Sequence, residues 1–366
     1  MRTYKIALIP GDGIGPEVLR EGVKVLKAAQ EYSGEFKLDM QEYEAGALTY
    51  KKYGTAFPDE TDKGCKGSDA IFLGATGLPD VTFEDGTEVG PNAGMGFRRR
   101  YRLYANIRPV KLYPGVDPIL KGKSAGMIDY VILRENLEGL YAARDGGNVL
   151  LDEVATDTMI ITRKQTTKIV ELAFNLSLKR KGAPLDGKRR VTCVDKSNIL
   201  RSYGFFRKIF KEVGEKYPDV EKDYAYVDAM TQWMLFKPEF YDVVVTENMF
   251  GDILSDLGGA TVGGIGMAPS GEIGDELGLF QGIHGSAPEI AGKGIANPIA
   301  TILSGKMMLE WLGEKYDDKA LLNAAFRIEK AVARVLEERK VRTPDIGGES
   351  KTWEVGDAIA EKIVSM

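Results

Sequence analysis

The sequence predicts an α/β protein with a largely parallel central sheet flanked by helices. Three observations carry that prediction. Short β-branched runs recur along the chain, patterns of helical period lie between them, and the first run passes through a glycine-rich turn into a helix. The runs are "KIALI" at residues 5–9, "DAIFL" at 69–73, "MIDYVIL" at 127–133, "RVTCV" at 190–194 and "DVVVT" at 242–246. Pro16 suits the first turn of a helix, where its missing N–H costs nothing, and Leu19, Val23 and Leu26 then share a face. Near the C-terminus Leu321, Ala325, Ile328, Val332 and Val335 step by three or four, the period of an amphipathic helix.

The first turn, "GDGIGP", raises the question of a dinucleotide. The Rossmann fingerprint places glycines first, third and sixth. Gly11, Gly13 and Gly15 stand first, third and fifth, and Pro16 takes the sixth place. No other stretch supplies the pattern, so a dinucleotide would have to be held some other way. Two phosphate-loop look-alikes also fail on their mechanics. In "GAPLDGKRR" Arg189 stands where a hydroxyl must hold magnesium, and "GKS" at residues 122–124 lacks its earlier glycine.

Composition bounds the function. The chain has 366 residues, 43% hydrophobic, enough for a large core and two domains, although composition does not mark where they divide. A net charge of −5 disfavours nucleic acid as a partner. The N-terminus lacks the apolar stretch of a signal peptide, and no run approaches the roughly 18 apolar residues of a membrane helix. A cytoplasmic enzyme that engages no membrane is the expectation. Cys65 and Cys193 are not spaced as metal ligands or as a disulfide framework. His284 is the single histidine, so a His-rich zinc site is excluded and acid–base work falls to Tyr, Lys, Asp or Glu.

Three clusters carry candidate chemistry. "TENMFGDILSDLGG" follows the strand at 242–246, and a helix starting near Gly251 puts Asp252 and Asp256 on one face. Two like charges so placed repel unless a cation sits between them, and Mg²⁺ or Mn²⁺ favours such oxygen ligands. The alternative is a solvated acid pair. Asp228 in "YVDAM" is a possible third acid. In "GFRRRYRLYANIRPV" and "VILRENLEGLY", Arg98, Arg108 and Arg134 are candidates to hold carboxylates bidentately, whereas Arg99, Arg100 and Arg102 read as a solvated face. Tyr141 and Lys196 each follow a strand, where α/β proteins place their ligand crevice, but singly each also reads as an ordinary surface residue. Together an arginine pocket and a carboxylate pair point to a small polyanionic acid.

Taken in order, "IPGDGIGPEV", "YANIRPV", "RENLEGLY", "VDKSN", "YVDAM", "ENMFGDILSD", "HGSAPEIAGKGIANP" and "TPDIGG" resemble the metal-dependent β-decarboxylating dehydrogenases, the isocitrate/isopropylmalate dehydrogenase family, nearly end to end. The resemblance implies that family's two α/β domains and not a Rossmann fold. Residues 1–103 with 263–366 would form a large cofactor-side domain, and 104–262 a small domain for substrate, metal and the dimer interface. It implies NAD-dependent, Mg²⁺- or Mn²⁺-dependent oxidative decarboxylation of a small dicarboxylic or tricarboxylic hydroxy acid by a homodimer with shared active sites. Arg98, Arg108 and Arg134 would hold the malate carboxylates. Asp228, Asp252 and Asp256 would be the metal ligands, with Asp228 and Lys196 reaching in from the other subunit. Lys196 with Asp228 would relay the hydroxyl proton, and Tyr141 would protonate the enol carbon. The cofactor would lie against Ile14, Asn198, His284, Gly285, Ser286, Ala287, Glu289, Ile290 and Asn297. Glu289 stands where NAD-dependent members carry an acid and NADP-dependent members a basic residue.

The same resemblance places the readers of the third malate substituent just before Arg98. Isocitrate enzymes carry Ser and Asn where this chain has Asn92 and Gly94, and homoisocitrate enzymes can carry an arginine where it has Met95. Met95 and Phe97 are expected to line an apolar pocket, which favours 3-isopropylmalate. Gly94 does not fill that pocket, which keeps D-malate or tartrate as the alternative. "RRR" followed by "LYANIRP" is similar to the homoisocitrate branch. A non-catalytic regulatory subunit is a further alternative, set against the retained Tyr141, Lys196 and three aspartates.

Overall fold

The apolar run at residues 5–9 lies, in the computed structural model, within a longer strand β1 (Arg2–Gly11). The structure describes residues 1–84, 86–143 and 146–366, without the side chains of residues 91–95 and 143. Pro16 opens α1 (Gly15–Ser33), as predicted. Its buried stripe is Val18, Leu19, Val25 and Leu26, so the inward face takes Val25 where the periodicity suggested Val23. There follow β2 (Phe36–Glu42), α2 (Ala47–Tyr53), α3 (Asp59–Lys66), β3 (Ala70–Ala75) and α4 (Val89–Arg100).

The middle of the chain runs β4 (Ala105–Lys111), β5 (Asp129–Glu135), the short strands β6 (Asn148–Leu150) and β7 (Val154–Thr156), then α5 (Arg163–Lys179), β8 (Arg190–Asp195), α6 (Arg201–Gly214), β9 (Glu221–Tyr226), α7 (Val227–Phe236), β10 (Val243–Thr246) and α8 (Asn248–Thr261). The remainder is β11 (Pro269–Ile273), β12 (Gly278–Gly282), α9 (Ile299–Tyr316), α10 (Lys319–Glu338) and α11 (Thr352–Ser365). All five runs picked from the sequence are strands. Several others escaped it, because β2 and β9 are too polar and β11 and β12 too short and glycine-rich to stand out.

These elements form two units. One comprises Met1–Leu103, Tyr113–Asp117 and Gly263–Met366, the other Tyr104–Leu112 and Pro118–Val262. In the first, strands run in the order β2-β1-β3-β12-β11, with β1 parallel to both neighbours and β11 antiparallel to β12. In the second the order is β4-β5-β10-β8-β9, parallel except for the β4–β5 pair. Strands β3, β8 and β10 are buried along their whole length, because helices cover both sheet faces. The phosphate-loop look-alike at residues 182–190 is the turn into β8, and Arg190 there is buried with Asp186 and Glu221 as partners. Both cysteines are free and buried. Among the described residues no helix is long and apolar enough to cross a membrane.

Helix α10 shows what the period fixed. Leu321, Ala325, Ile328, Val332 and Val335 are all buried, while Phe326 on the opposite face is 68% exposed. Ile328→Ala is expected to cost about 2–5 kcal/mol through the cavity it leaves. Phe326→Ala should stay within about 0.5 kcal/mol. Urea midpoints of the two variants check the contrast.

Candidate active site

Helix α8 organises the second unit's polar cluster. It starts at Asn248, three residues before the predicted start, because the Glu247 carboxylate caps it by accepting the N–H groups of Met249 and Phe250. Tyr203 donates to the same carboxylate at 3.0 Å. Burial pushes the Glu247 carboxyl up, against the pull of these hydrogen bonds. The helix lies hard against β5 at Gly251, where an added Cβ would sit 2.6 Å from the Arg134 Cβ. This close approach puts Asp252 beside the arginines.

Arg134, at the end of β5, is 1% exposed and Arg108, on β4, is 6% exposed. Buried guanidinium groups need acceptors on most of their N–H groups. Arg134 donates to Asn248 Oδ1 at 2.9 Å and to Asp252 Oδ1. Arg108 donates to Asn106 Oδ1 at 3.3 Å, to Ser255 Oγ and to Asp252 Oδ1 at 3.2 Å, and lies 3.8 Å from Asp256 Oδ1. Tyr141, in a short 3₁₀ turn at Leu140–Ala143, donates to Asp252 Oδ2 at 3.3 Å. Burial pushes the Tyr141 phenol up, and Asp252 adds to this while Arg134 opposes it. At neutral pH the phenol therefore keeps its proton. Arg108, Arg134, Tyr141, Asp252 and Asp256 are thus brought together. Asn106, Asn248, Ser255 and Glu247 support them, and the sequence singled out none of these four. Only the cap had a local signal, an acid just before the helix.

Lys196 and Asp228 form a pair of their own, Nζ to Oδ1 at 2.6 Å. Lys196 lowers the Asp228 carboxyl. Asn198 is exposed in the same turn after β8. Among the described residues no three His, Cys, Asp or Glu side chains stand together as metal ligands, so within one chain Asp228 does not join Asp252 and Asp256. The Asp252–Asp256 pair fits a hard divalent cation in its donor chemistry, two oxygen ligands one turn apart, and such a cation takes further oxygen ligands besides.

In the first unit Arg98 is held by Glu272, a partner the sequence gave no hint of. Its Nε donates to Oε2 at 3.0 Å and one terminal nitrogen to Oε1 at 2.8 Å, and Glu272 is 1% exposed. Gly94 and Met95 lie outside the described side chains. The expectation for Phe97 is corrected. It is fully buried against Ile9, Cys65 and Leu103, with Phe57 edge-on at 4.7 Å. One residue is about 100° around a helix, so the face next to Arg98's looks into the core. Arg99, Arg100 and Arg102 are exposed.

The loop after β12 meets the first glycine turn. Ile14 N–H donates to the Ser286 carbonyl at 2.8 Å, and Ser286 Oγ donates to the Gly77 carbonyl. Gly13 sits at φ +59° where a Cβ would collide with Ser286, so this glycine serves the approach of the two loops. Ile14, Val18 and Ala296 form an apolar cluster with Ala287 and Ile290, while Gly285 and Glu289 are exposed beside it. An apolar floor with an exposed carboxylate fits an adenosine. His284 is buried, and burial lowers its pKa. Its Nδ1 faces the Gly285 carbonyl at 3.0 Å, so that nitrogen carries the proton and Nε2 accepts from Thr301 Oγ1 at 3.4 Å. Asn297 donates to Asp345 at 3.0 Å and accepts the Ile299 N–H at 3.0 Å. Both side chains thus engage the protein's own interior.

Glu135, next to Arg134, generates a pH prediction. It is 3% exposed and accepts the N–H groups of Leu137 at 2.9 Å and Glu138 at 2.7 Å, shaping the turn toward Tyr141. Burial pushes its carboxyl from 4.5 up to about 7. A raised folded-state pKa adds stability below the unfolded value, and that stability is lost as pH rises through the folded one. Glu135→Gln should therefore gain stability relative to wild type as pH rises from 4.5 through about 7, read as diverging urea midpoints.

The isocitrate/isopropylmalate dehydrogenase family model matches residues 5–359. The 3-isopropylmalate/3-methylmalate dehydrogenase of Methanocaldococcus jannaschii is 43% identical, over 98% of this chain and 99% of its own. A probable tartrate dehydrogenase/decarboxylase of Agrobacterium vitis is 42% identical, over 99% and 98%. The crystal structure of isocitrate dehydrogenase from Methylococcus capsulatus superposes with a TM-score of 0.84 at 37% identity, covering 99% of both chains. The chain belongs to the isocitrate/isopropylmalate dehydrogenase family, a group of decarboxylating dehydrogenases that act on hydroxy acids.

Proposed function

We propose that this protein oxidatively decarboxylates a 3-substituted malate with NAD and Mg²⁺ or Mn²⁺, and that the acid is 3-isopropylmalate. The observation that carries the reading is the convergence of Arg108, Arg134 and Tyr141 on Asp252. Arg108 and Arg134 bind and orient the substrate carboxylates through their guanidinium forks. Lys196 takes the proton of the 2-hydroxyl, with Asp228 beside it to balance the charge. Carbon dioxide leaves, and Tyr141, which keeps its proton, delivers it to the carbon left behind. Asp252 and Asp256 would hold the cation, which supplies positive charge at the 2-hydroxyl and neighbouring carboxylate oxygens when bound. Ile14, Ala287 and Ile290 would seat the adenosine of NAD, the hydride acceptor, with Glu289 taking the ribose hydroxyls.

In the proposed homodimer, Lys196 and Asp228 serve the site of the partner. Exposed apolar groups on the same unit support this: Ile199 is 69% exposed, Phe236 75% and Ile253 57%. The β6–β7 hairpin adds Val149 and Leu151, also exposed. Met95 supports the choice of an isopropyl group, and a relative named as a probable tartrate dehydrogenase/decarboxylase supports testing D-malate and tartrate beside it.

The test is NADH formation by the purified chain with 3-isopropylmalate, D-malate, tartrate, isocitrate and homoisocitrate. The highest kcat/KM is expected with 3-isopropylmalate and with NAD over NADP. Better turnover of D-malate or tartrate would replace the substrate and leave the chemistry standing. Asp252→Asn should raise the Mn²⁺ needed for half-maximal rate by at least about 10-fold. Unchanged activity in excess EDTA would remove the metal from the reading. Tyr141→Phe should slow protonation of the product carbon about 10²–10⁴-fold while sparing hydride transfer. Single-turnover NADH release, followed beside deuterium incorporation into product, separates the two steps.

A further inference from the structure

Lys196 and Asp228 leave the ends of two neighbouring parallel strands. The last residues of β8 and β9, Asp195 and Tyr226, pair in register. Lys196 follows Asp195 directly, and Asp228 lies in the first turn of α7, two residues after Tyr226. Their ion pair is open to water, with the Asp228 side chain 66% exposed. An exposed pair of flexible side chains does little to fix its own geometry. Its aim must come from the strand ends beneath it.

Arg207, on α6, reaches both ends. Its Nε donates to Asp195 Oδ2 at 2.6 Å and a terminal nitrogen donates to Oδ1 at 3.0 Å, a two-pronged grip on a fully buried carboxylate. The same guanidinium lies 5.0 Å from the Tyr226 ring centroid and 5.3 Å from that of Tyr224, both on β9. Asp195 Oδ1 also accepts the Ser197 N–H at 2.8 Å, which closes the turn that carries Lys196. One cation therefore ties the root of Lys196 to the strand from which Asp228 emerges.

We propose that Arg207 is a positioning residue for the Lys196–Asp228 pair: by gripping Asp195 and packing on Tyr226 it fixes the spacing and aim of the proton-accepting group. The inference rests on the reading of Lys196 as the group that takes the substrate's hydroxyl proton. A lysine at this position keeps the charge but cannot make the two-pronged contact or cover the rings as a planar fork does.

The test uses the full-length protein with NAD and Mn²⁺, and 3-isopropylmalate or whichever acid the panel ranks first. Single-turnover NADH formation is compared for wild type, Arg207→Lys, Lys196→Met and the double variant. Arg207→Lys should slow hydride transfer about 10- to 100-fold, because a small misplacement of a reacting group has that effect. KM for the acid and for NAD should hold within about 3-fold, since the arginines that bind the acid are untouched. In the Lys196→Met background, Arg207→Lys should change the residual rate by less than about 2-fold, because its effect passes through Lys196. An equal effect in both backgrounds, or a lower melting temperature with unchanged kcat, would overturn the proposal. Full hydride transfer in Lys196→Met alone would instead remove the reading of Lys196, and this inference with it. If Arg207→Lys does not fold, Tyr226→Leu, at a ring already partly exposed, takes its place: slower hydride transfer only when Lys196 is present supports the proposal, and an equal effect in both backgrounds overturns it.

Discussion

The Asp252 carboxylate is the contact on which the second unit's site depends. Two guanidinium groups, on neighbouring antiparallel strands β4 and β5, are almost wholly buried, and a buried cation without a partner costs several kcal/mol. Asp252 accepts from both and also from Tyr141. To deliver one carboxylate to three donors, α8 must run close over β5. Gly251 makes that approach possible, and the Glu247 cap fixes where the helix begins. Asp256 follows one turn later as a consequence of helix geometry. In the proposed function the carboxylate that satisfies the arginines in the protein by itself is also the oxygen donor to the cation, and the arginines it holds are the groups that take the acidic substrate.

A second constraint is direction. Within each unit, groups of interest stand at the C-terminal ends of parallel strands or in the turns that follow: Lys196 after β8, Asp228 after β9, α8 after β10 and the glycine turn after β1. Parallel strands present all their C-terminal ends along one edge, so residues distant in sequence become neighbours there without any long-range signal in composition. The glycine turn illustrates what such an edge asks of the chain. Gly13 answers to the backbone of Ser286, and Gly11 and Gly15 to that of Ala75 and Pro10, so the spacing of these glycines follows the protein's own close approaches while the strand–turn–helix outline remains.

Electrostatics then separates groups that spacing alone makes look alike. Arg98, Arg108 and Arg134 read as one cluster in the sequence, yet they fall into two anionic arrangements. Arg98 meets the buried Glu272, and the other two share Asp252. Arg190 and Arg207 look no different from surface arginines, yet both clamp acids, Arg190 fully buried and Arg207 half-buried. A guanidinium acts as ligand or as strut according to which carboxylate folding brings to it.

The sequence by itself determined what local geometry controls. The five apolar runs became strands, the period of residues 321–335 became the buried face of α10, and the four-residue spacing of Asp252 and Asp256 put both on one helix face. Backbone repeats of 3.6 and 2 residues set these patterns, and they need no knowledge of distant chain. The ordered motifs carried the family in the same way, since each is short and self-contained. The tertiary structure alone decided the partners. Glu272 lies 174 residues from Arg98, and Asp252 lies 118 from Arg134. Phe97 faces the core although it adjoins Arg98, and Asp228 stands with Lys196 and not with Asp252 and Asp256. Which charge meets which follows from how strands and helices far apart in the chain stack and in what register they pair. That is a property of packing, and a single sequence holds no local pattern for it.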